Sequence, residues 1–168
     1  MKPLQTLPTI EALREMFRYE PESGELYWRV PATNRRMDRP AGCLHPSGYQ
    51  RVSIGSRDFL VHRIIFAMAH NRWPTHFVDH IDRNSTNNRV KNLREANRAE
   101  NMWNAKSRCT NTSGYKGVNW RKDRQKWHAR IRVQGRNIHL GFFDNIEDAN
   151  MVRRSAAEKF HGDFARHE

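Results

Sequence analysis

Cysteine is scarce in this chain. Only Cys43 and Cys109 occur in 168 residues, far apart and neither in a Cys-x-x-Cys pair. That argues against a disulfide framework and against a thiolate zinc site, so both read as reduced thiols. No apolar run is long enough to cross a bilayer, so no membrane partner is expected. The first residues, MKPLQTLPTIEALREMF, lack the apolar core of a secretory leader, and the expected setting is the cytoplasm. There are no internal repeats and no low-complexity tract, and His76, His128, His139, His161 and His167 fall without zinc-ligand spacing. Acids are also few: 18 Asp and Glu oppose 30 Lys and Arg, for a formal net charge of +12. Such an excess repels itself unless a polyanion neutralises it, which makes nucleic acid the first partner to consider.

What is present divides the chain in two. Residues 9–18 open with a Thr9 N-cap and place Ile10, Leu13 and Phe17 on one helical face. Leu26-Tyr27-Trp28 reads as a strand after the Ser23-Gly24 turn, and residues 31–47 read as a loop. A hairpin follows, QRVSI and FLVHRI about a Gly-Ser-Arg-Asp turn, and then a short helix, IIFAMAH, ended by Pro74. Residues 105–112 are polar and suit a linker. Beyond them, strand patterns at about 115–120, 126–133 and 136–142 precede a helix at about 145–160, with Asp144 as the expected N-cap and Ala149, Val152, Ala156 and Phe160 as its apolar stripe. The expected class is α+β in two domains, 1–104 and 113–168.

The segment FVDHIDRNSTNNRVKNLREANRAENMW, residues 77–103, carries the chemistry. Asp79 and His80 lie together on a strand pattern, Asn92 follows His80 by twelve positions, and Asn101 lies on a helical stretch. Hydrolysis of a phosphodiester needs a base for water and a cation for the phosphate. A neutral imidazole suits the first task. Carboxylate and amide oxygens suit Mg²⁺ or Mn²⁺. Neighbouring strand residues point to opposite faces, so Asp79 and His80 cooperate only with help from twist or loop. Asn84, Asn87 and Asn88 read as Asx-turn residues.

This stretch resembles the HNH nuclease family, in particular the phage homing type in which Asn replaces the third His. Val61-His62-Arg63 and the form DHIDxNxxNNxxxNL match that subgroup. The resemblance implies a ββα-metal core at about 77–104 and one divalent cation, Mg²⁺ or Mn²⁺, held by Asp79 and Asn101. It makes His80 the general base and Asn92 the residue that holds the loop and orients that base. It leaves His62 and Arg63 as DNA or structural contacts with no catalytic role, and no organic cofactor is expected. It also implies action on double-stranded DNA in a bacterial or phage-infected cell, one strand cut at a time unless the protein dimerises.

Residues 111–141 hold eight Lys or Arg and one acid, Asp123. In KWHARIRV, Trp127, Ala129, Ile131 and Val133 share one strand face, and Lys126, His128, Arg130 and Arg132 the other. The run SGYKGVNW…KWHARIRV…IHLGFFD…EDA resembles the plant ethylene-response-factor type of DNA-binding domain over residues 113–162. That family has relatives fused to phage HNH endonucleases. By position, Lys116, Asn119, Arg121, Arg130, Arg132 and His139 take the places of its DNA-contacting sheet residues. Asn119 and His139 stand where plant members carry Arg and Trp, so their base preference does not transfer. Two other classes fit the charge: a DNA-binding regulator with an inactive nuclease centre, and an RNA-binding protein, although the latter class stacks bases on exposed aromatics and Trp127 is expected to face the core.

Overall fold

The structure is a computed structural model that describes residues 7–33, 35–104 and 111–165. The linker expected at 105–112 lies outside them at 105–110, as do Cys109 and His167. The chain is α+β with small antiparallel sheets and divides into two compact units, residues 1–95 and 96–168.

In the first unit α1 (Ile10–Met16) starts where the Oγ1 of Thr9 accepts the amide of Ala12 at 3.2 Å. Such a cap contributes about 1 kcal/mol. The helical pattern in the sequence extends to residue 18, but the helix stops at Met16. Phe17 is recruited instead into β1 (Phe17–Glu20), where it pairs with Trp28 of β2 (Glu25–Trp28), ring centroids 4.3 Å apart. Within residues 31–47, expected as loop, lies the two-residue strand β3 (Cys43–Leu44), whose Cys43 is an exposed free thiol. It pairs with β4 (Gln50–Ile54), which pairs with β5 (Arg57–Leu60).

The second arm of that hairpin, expected to continue through Ile64, ends at Leu60, and α2 (Val61–His70) begins at the next residue. The physical reason is burial at helical spacing: Val61, Ile64 and Ile65 leave almost no surface, and they pack with Leu13, Phe17 and Leu26 in one core. Asn71, left-handed at φ 54°, ends the helix. Two further strands, β6 (Phe77–His80) and β7 (Leu93–Ala96), form a two-stranded sheet, and their buried Val78 and Leu93 join the same core.

The second unit holds α3 (Arg98–Asn104), the sheet β8 (Val118–Arg121), β9 (Lys126–Val133) and β10 (Arg136–Phe143) in the order β10-β9-β8, and α4 (Ile146–His161). Val118, Ala129 and Ala149 form its buried centre, with Tyr115, Trp127, Leu140, Phe143 and Ile146 packed around them. The α4 N-cap is Asn145, whose Oδ1 accepts the amide of Glu147 at 3.0 Å, and not Asp144, which pairs with Lys126. The helix also buries a different stripe from the one expected. Ala149, Arg153, Ala157 and His161 face inward, while Val152 and Phe160 are exposed. Three buried polar side chains, Asn150, Arg153 and His161, hide this stripe from a count of apolar residues.

Candidate active site and basic sheet face

The β6 strand ends at His80, which is 4% exposed. Its Nε2–H donates to Oδ1 of Asn88 at 3.0 Å, and the Nδ2 of Asn88, itself 1% exposed, donates to Oε1 of Gln50 at 2.7 Å. Donation from Nε2 makes Nδ1 the proton-accepting nitrogen of the neutral ring. His62, on the first turn of α2, meets the His80 ring edge-on at 5.0 Å between centroids, and Tyr49 lies 5.3 Å from His62 and 6.1 Å from His80. Burial, then the charges of His80 and Arg63, push the His62 imidazole down to about 3. It is therefore an uncharged neighbour near neutral pH.

Asp79 leaves the strand on the other side, as alternation requires. Its Oδ2 accepts from Nε and Nη2 of Arg94 on β7, at 3.2 and 3.1 Å. Asn92 is buried between the strands and the loop. Its Oδ1 accepts the amide of Asp82 at 2.9 Å, and its Nδ2 donates to Oδ1 of Asp82 at 2.9 Å and to the carbonyl of Asn87 at 2.8 Å. Asn92 thus closes the loop between β6 and β7. Asn84 makes the expected Asx turn, its Oδ1 accepting the Thr86 amide at 3.1 Å. Asn87 spends its side chain on Asp82 and Arg89. Asn88 departs from the turn reading, because it is committed to His80. Burial works to raise the Asp82 carboxyl, but hydrogen bonds from Asn87, from the Asn84 amide and from Asn92 together hold it below the ordinary range.

Asn101 lies on α3, its amide bonded to the carbonyl of Asn97 at 3.0 Å. Arg63 sends its guanidinium to the carbonyls of His76 and Pro74, at 2.7 and 3.1 Å, and so braces the turn before β6. The described residues contain no group of three or more His, Cys, Asp or Glu able to hold a metal. Among them no helix is long and apolar enough to cross a membrane.

In the second unit, strand register sets the basic face. Asn119 lies across from His128, Arg121 from Lys126, Arg130 from His139, and Arg132 from Asn137. Ala129 and Ile131, between them on β9, are buried on the reverse face, and Trp127 packs on that core as expected. Five of the six sheet positions singled out from sequence, Asn119, Arg121, Arg130, Arg132 and His139, therefore share one face. Lys116 does not: its Nζ donates to the carbonyls of Met102 and Trp103, at 3.1 and 2.9 Å, at the end of α3. On the basic face the rings of His128 and His139 meet, with Nε2 of one 2.8 Å from Nδ1 of the other, and Phe142 lies beside both.

Sequence reasoning missed Asn88, Gln50 and Tyr49. An Asn in an Asn-rich loop carries no local sign of burial, and Gln50 and Tyr49 come from a hairpin more than thirty positions upstream.

Residues 59–103 match the family model described as HNH endonuclease. Protein 3.8 of Escherichia phage T7 is 38% identical over 91 residues, which cover 54% of this chain and 74% of that protein. No solved structure matches the chain. By these likenesses the chain belongs to the HNH endonuclease family.

Proposed function

We propose that the protein is a metal-dependent DNA endonuclease that hydrolyses one strand of double-stranded DNA at a time, in a bacterial or phage-infected cell. Its nuclease module would span 1–104, with a ββα-metal core at about 77–104. A linker at 105–112 would join it to an ethylene-response-factor type DNA-binding module at 113–168. Homing of a mobile element is the biological setting that the family resemblance implies.

The observation that carries this reading is the buried chain of hydrogen bonds from His80 through Asn88 to Gln50. A general base must present one nitrogen to water and hold its proton on the other, and this chain fixes that choice. Asn92 ties the intervening loop to β7, so the base sits on a braced element. The uncharged His62 beside His80 adds no cation to oppose its protonation during water activation.

A divalent cation, Mg²⁺ or Mn²⁺, would supply stabilisation of charge on the phosphate and the leaving oxygen. Asp79 offers a hard carboxylate oxygen, and such cations commonly take only one or two protein carboxylates, leaving other positions to water and phosphate. Asn101 is the second ligand that the family resemblance implies. Arg94 orients the Asp79 carboxylate through Oδ2. The basic face, with Asn119, Arg121, Arg130, Arg132 and His139, would lie against the duplex, where guanidinium groups reach phosphates and guanine edges. Arg63, bound to two backbone carbonyls, would position β6 in this reading.

A second reading, a DNA-binding regulator with an inactive centre, is favoured by the Asp79–Arg94 ion pair. Incubation of the protein with DNA in Mg²⁺, Mn²⁺ or EDTA separates the two. Metal-dependent cleavage lost in His80→Ala supports the enzyme. Tight binding of the natural site without cleavage supports the regulator.

A further inference from the structure

Strand β10 contains a bulge that brings two imidazoles together on the basic face. Alternation alone would send His139 and Phe142, three positions apart, to opposite faces of the sheet. The extra residue between His139 and Gly141 returns them to one face, with Phe142 across from His128 and His139 across from Arg130. Nε2 of His128 then lies 2.8 Å from Nδ1 of His139, and Phe142 lies beside both rings. A gap of that length holds one hydrogen. In the neutral pair either ring fills it with its own N–H, and after gain of one proton the same bond becomes charge-assisted. A second proton would set two N–H groups against each other and break the contact. While it stays closed, the pair therefore holds at most one added charge.

The surrounding face resists even that charge. β8 contributes Arg121, with uncharged Asn119 across from His128, and β9 contributes Lys126, Arg130 and Arg132. Arg124, in the turn between these strands, lies over the Phe142 ring at 4.6 Å, while α4 packs on the reverse face with Ala129. The acids of this region are committed elsewhere, Asp123 to Arg121 and Arg124, and Asp144 to Lys126. Burial, then His139 and the guanidinium groups of Arg130, Arg121 and Arg124, hold the His128 imidazole below its ordinary range in the free protein. We infer that the His128–His139 pair takes up one proton when the basic face closes on DNA, so that the protein binds DNA more tightly as pH falls. The inference rests on the reading of this face as the DNA-binding surface. Phosphates laid over the pair reverse the field, because the proton that the arginines repel then neutralises part of the polyanion. A pair that holds its proton more tightly in the complex than in the free chain raises DNA affinity as pH falls through its bound value, by linkage. The arginines and lysine are charged throughout that range and cannot supply this dependence.

The test uses the full-length chain in EDTA, where cleavage plays no part. A short DNA duplex of mixed sequence is titrated at constant ionic strength from about pH 7.5 to 5.5, the range in which imidazoles change charge. Wild type is expected to gain affinity as pH falls, by about fivefold for each unit, close to the tenfold limit that one proton sets. Calorimetry in buffers of different ionisation heat should count close to one proton taken up. His139→Gln, at an exposed position, keeps a polar side chain that cannot be protonated, and should lose both the gain and the proton. His128→Gln should behave in the same way, with the folded NMR spectrum of each variant retained. Affinity that does not change with pH in wild type overturns the inference and leaves the DNA reading standing. Proton uptake that survives in both variants also overturns it, because the proton then lands on another group. A chain that binds no duplex at any pH ends the DNA reading of this face and the inference with it.

Discussion

His80 donates from Nε2 to Oδ1 of Asn88 across 3.0 Å, and both side chains are almost fully buried. The contact joins a strand residue to a loop residue eight positions later, and Gln50 holds the far side of the amide. Asn88 is therefore a positioning residue for the proposed base. Its replacement has a signature that simple loss of packing would not produce.

Asn88→Asp puts a carboxylate beside the imidazole and favours its protonated form. A base works only when neutral, so the acid limb of the pH–rate profile should move to higher pH. Asn88→Ala should lower cleavage about 10–100-fold, the range seen when a group that orients a working histidine is removed. Nitrogen NMR of His80 should show that a single tautomer no longer dominates. An unmoved acid limb in Asn88→Asp would remove the positioning role.

His62 makes the first unit sensitive to acid. Its imidazole titrates near 6.5 in the unfolded chain and at about 3 when folded, so the unfolded chain binds more protons between those values. Stability from this group is complete above pH 6.5 and is lost as pH falls towards 3. Urea unfolding from about pH 7 to 4 should show a shallower loss in His62→Leu than in wild type. Parallel slopes would contradict this role for His62.

Glu95 closes the turn before β6 by accepting from Arg72, from the amide and hydroxyl of Thr75 and from the amide of His76. The Arg72 hydrogen bond is the largest cause of its depression to about 2, with the turn amides adding to it against burial. Because the folded value is low, its contribution is present above pH 4.5 and fades as pH falls through about 2. Glu95→Gln should cost about 1–2 kcal/mol near neutral pH, since a charged acceptor of several bonds is removed while Arg72 is largely solvated. Calorimetry near neutral pH measures it, and an unchanged melting temperature would count against the bracing role.

Gly117 takes φ +80°, and a Cβ there would run into the carbonyl of Arg130. Gly117→Ala should destabilise the second unit by a few kcal/mol, because both the backbone angle and the space are unsuitable. Hydrogen exchange should show weakened protection in β8 and β9. Unaltered protection there would contradict the packing described.

On the basic face, Arg130→Glu with Arg132→Glu should weaken DNA binding and flatten its salt dependence, by a slope of about 0.9 for each phosphate no longer neutralised. Retention of both affinity and slope would show that another surface meets the DNA.

Much of this molecule is legible in its residues, and the gaps have physical causes. Period-two alternation in KWHARIRV puts Arg130 and Arg132 opposite Ala129 and Ile131 because strand geometry leaves no other choice. The strand-to-helix junction at Leu60 and Val61 is hidden because FLVHRI is apolar enough for either element. On α4 the buried Arg153 and His161 break the apolar count. The Asp79-His80-Asn92 pattern stands out by spacing, whereas Asn88 does not, since its role depends on Gln50 arriving from a distant hairpin.

Whether His80 activates water for DNA cleavage is decided by incubating supercoiled plasmid with wild-type protein and with His80→Ala, in Mg²⁺, Mn²⁺ or EDTA. Wild type should convert the plasmid to open circle only when metal is present. His80→Ala should leave it supercoiled while binding DNA with almost equal affinity. Cleavage that persists undiminished in His80→Ala would show that another group is the base.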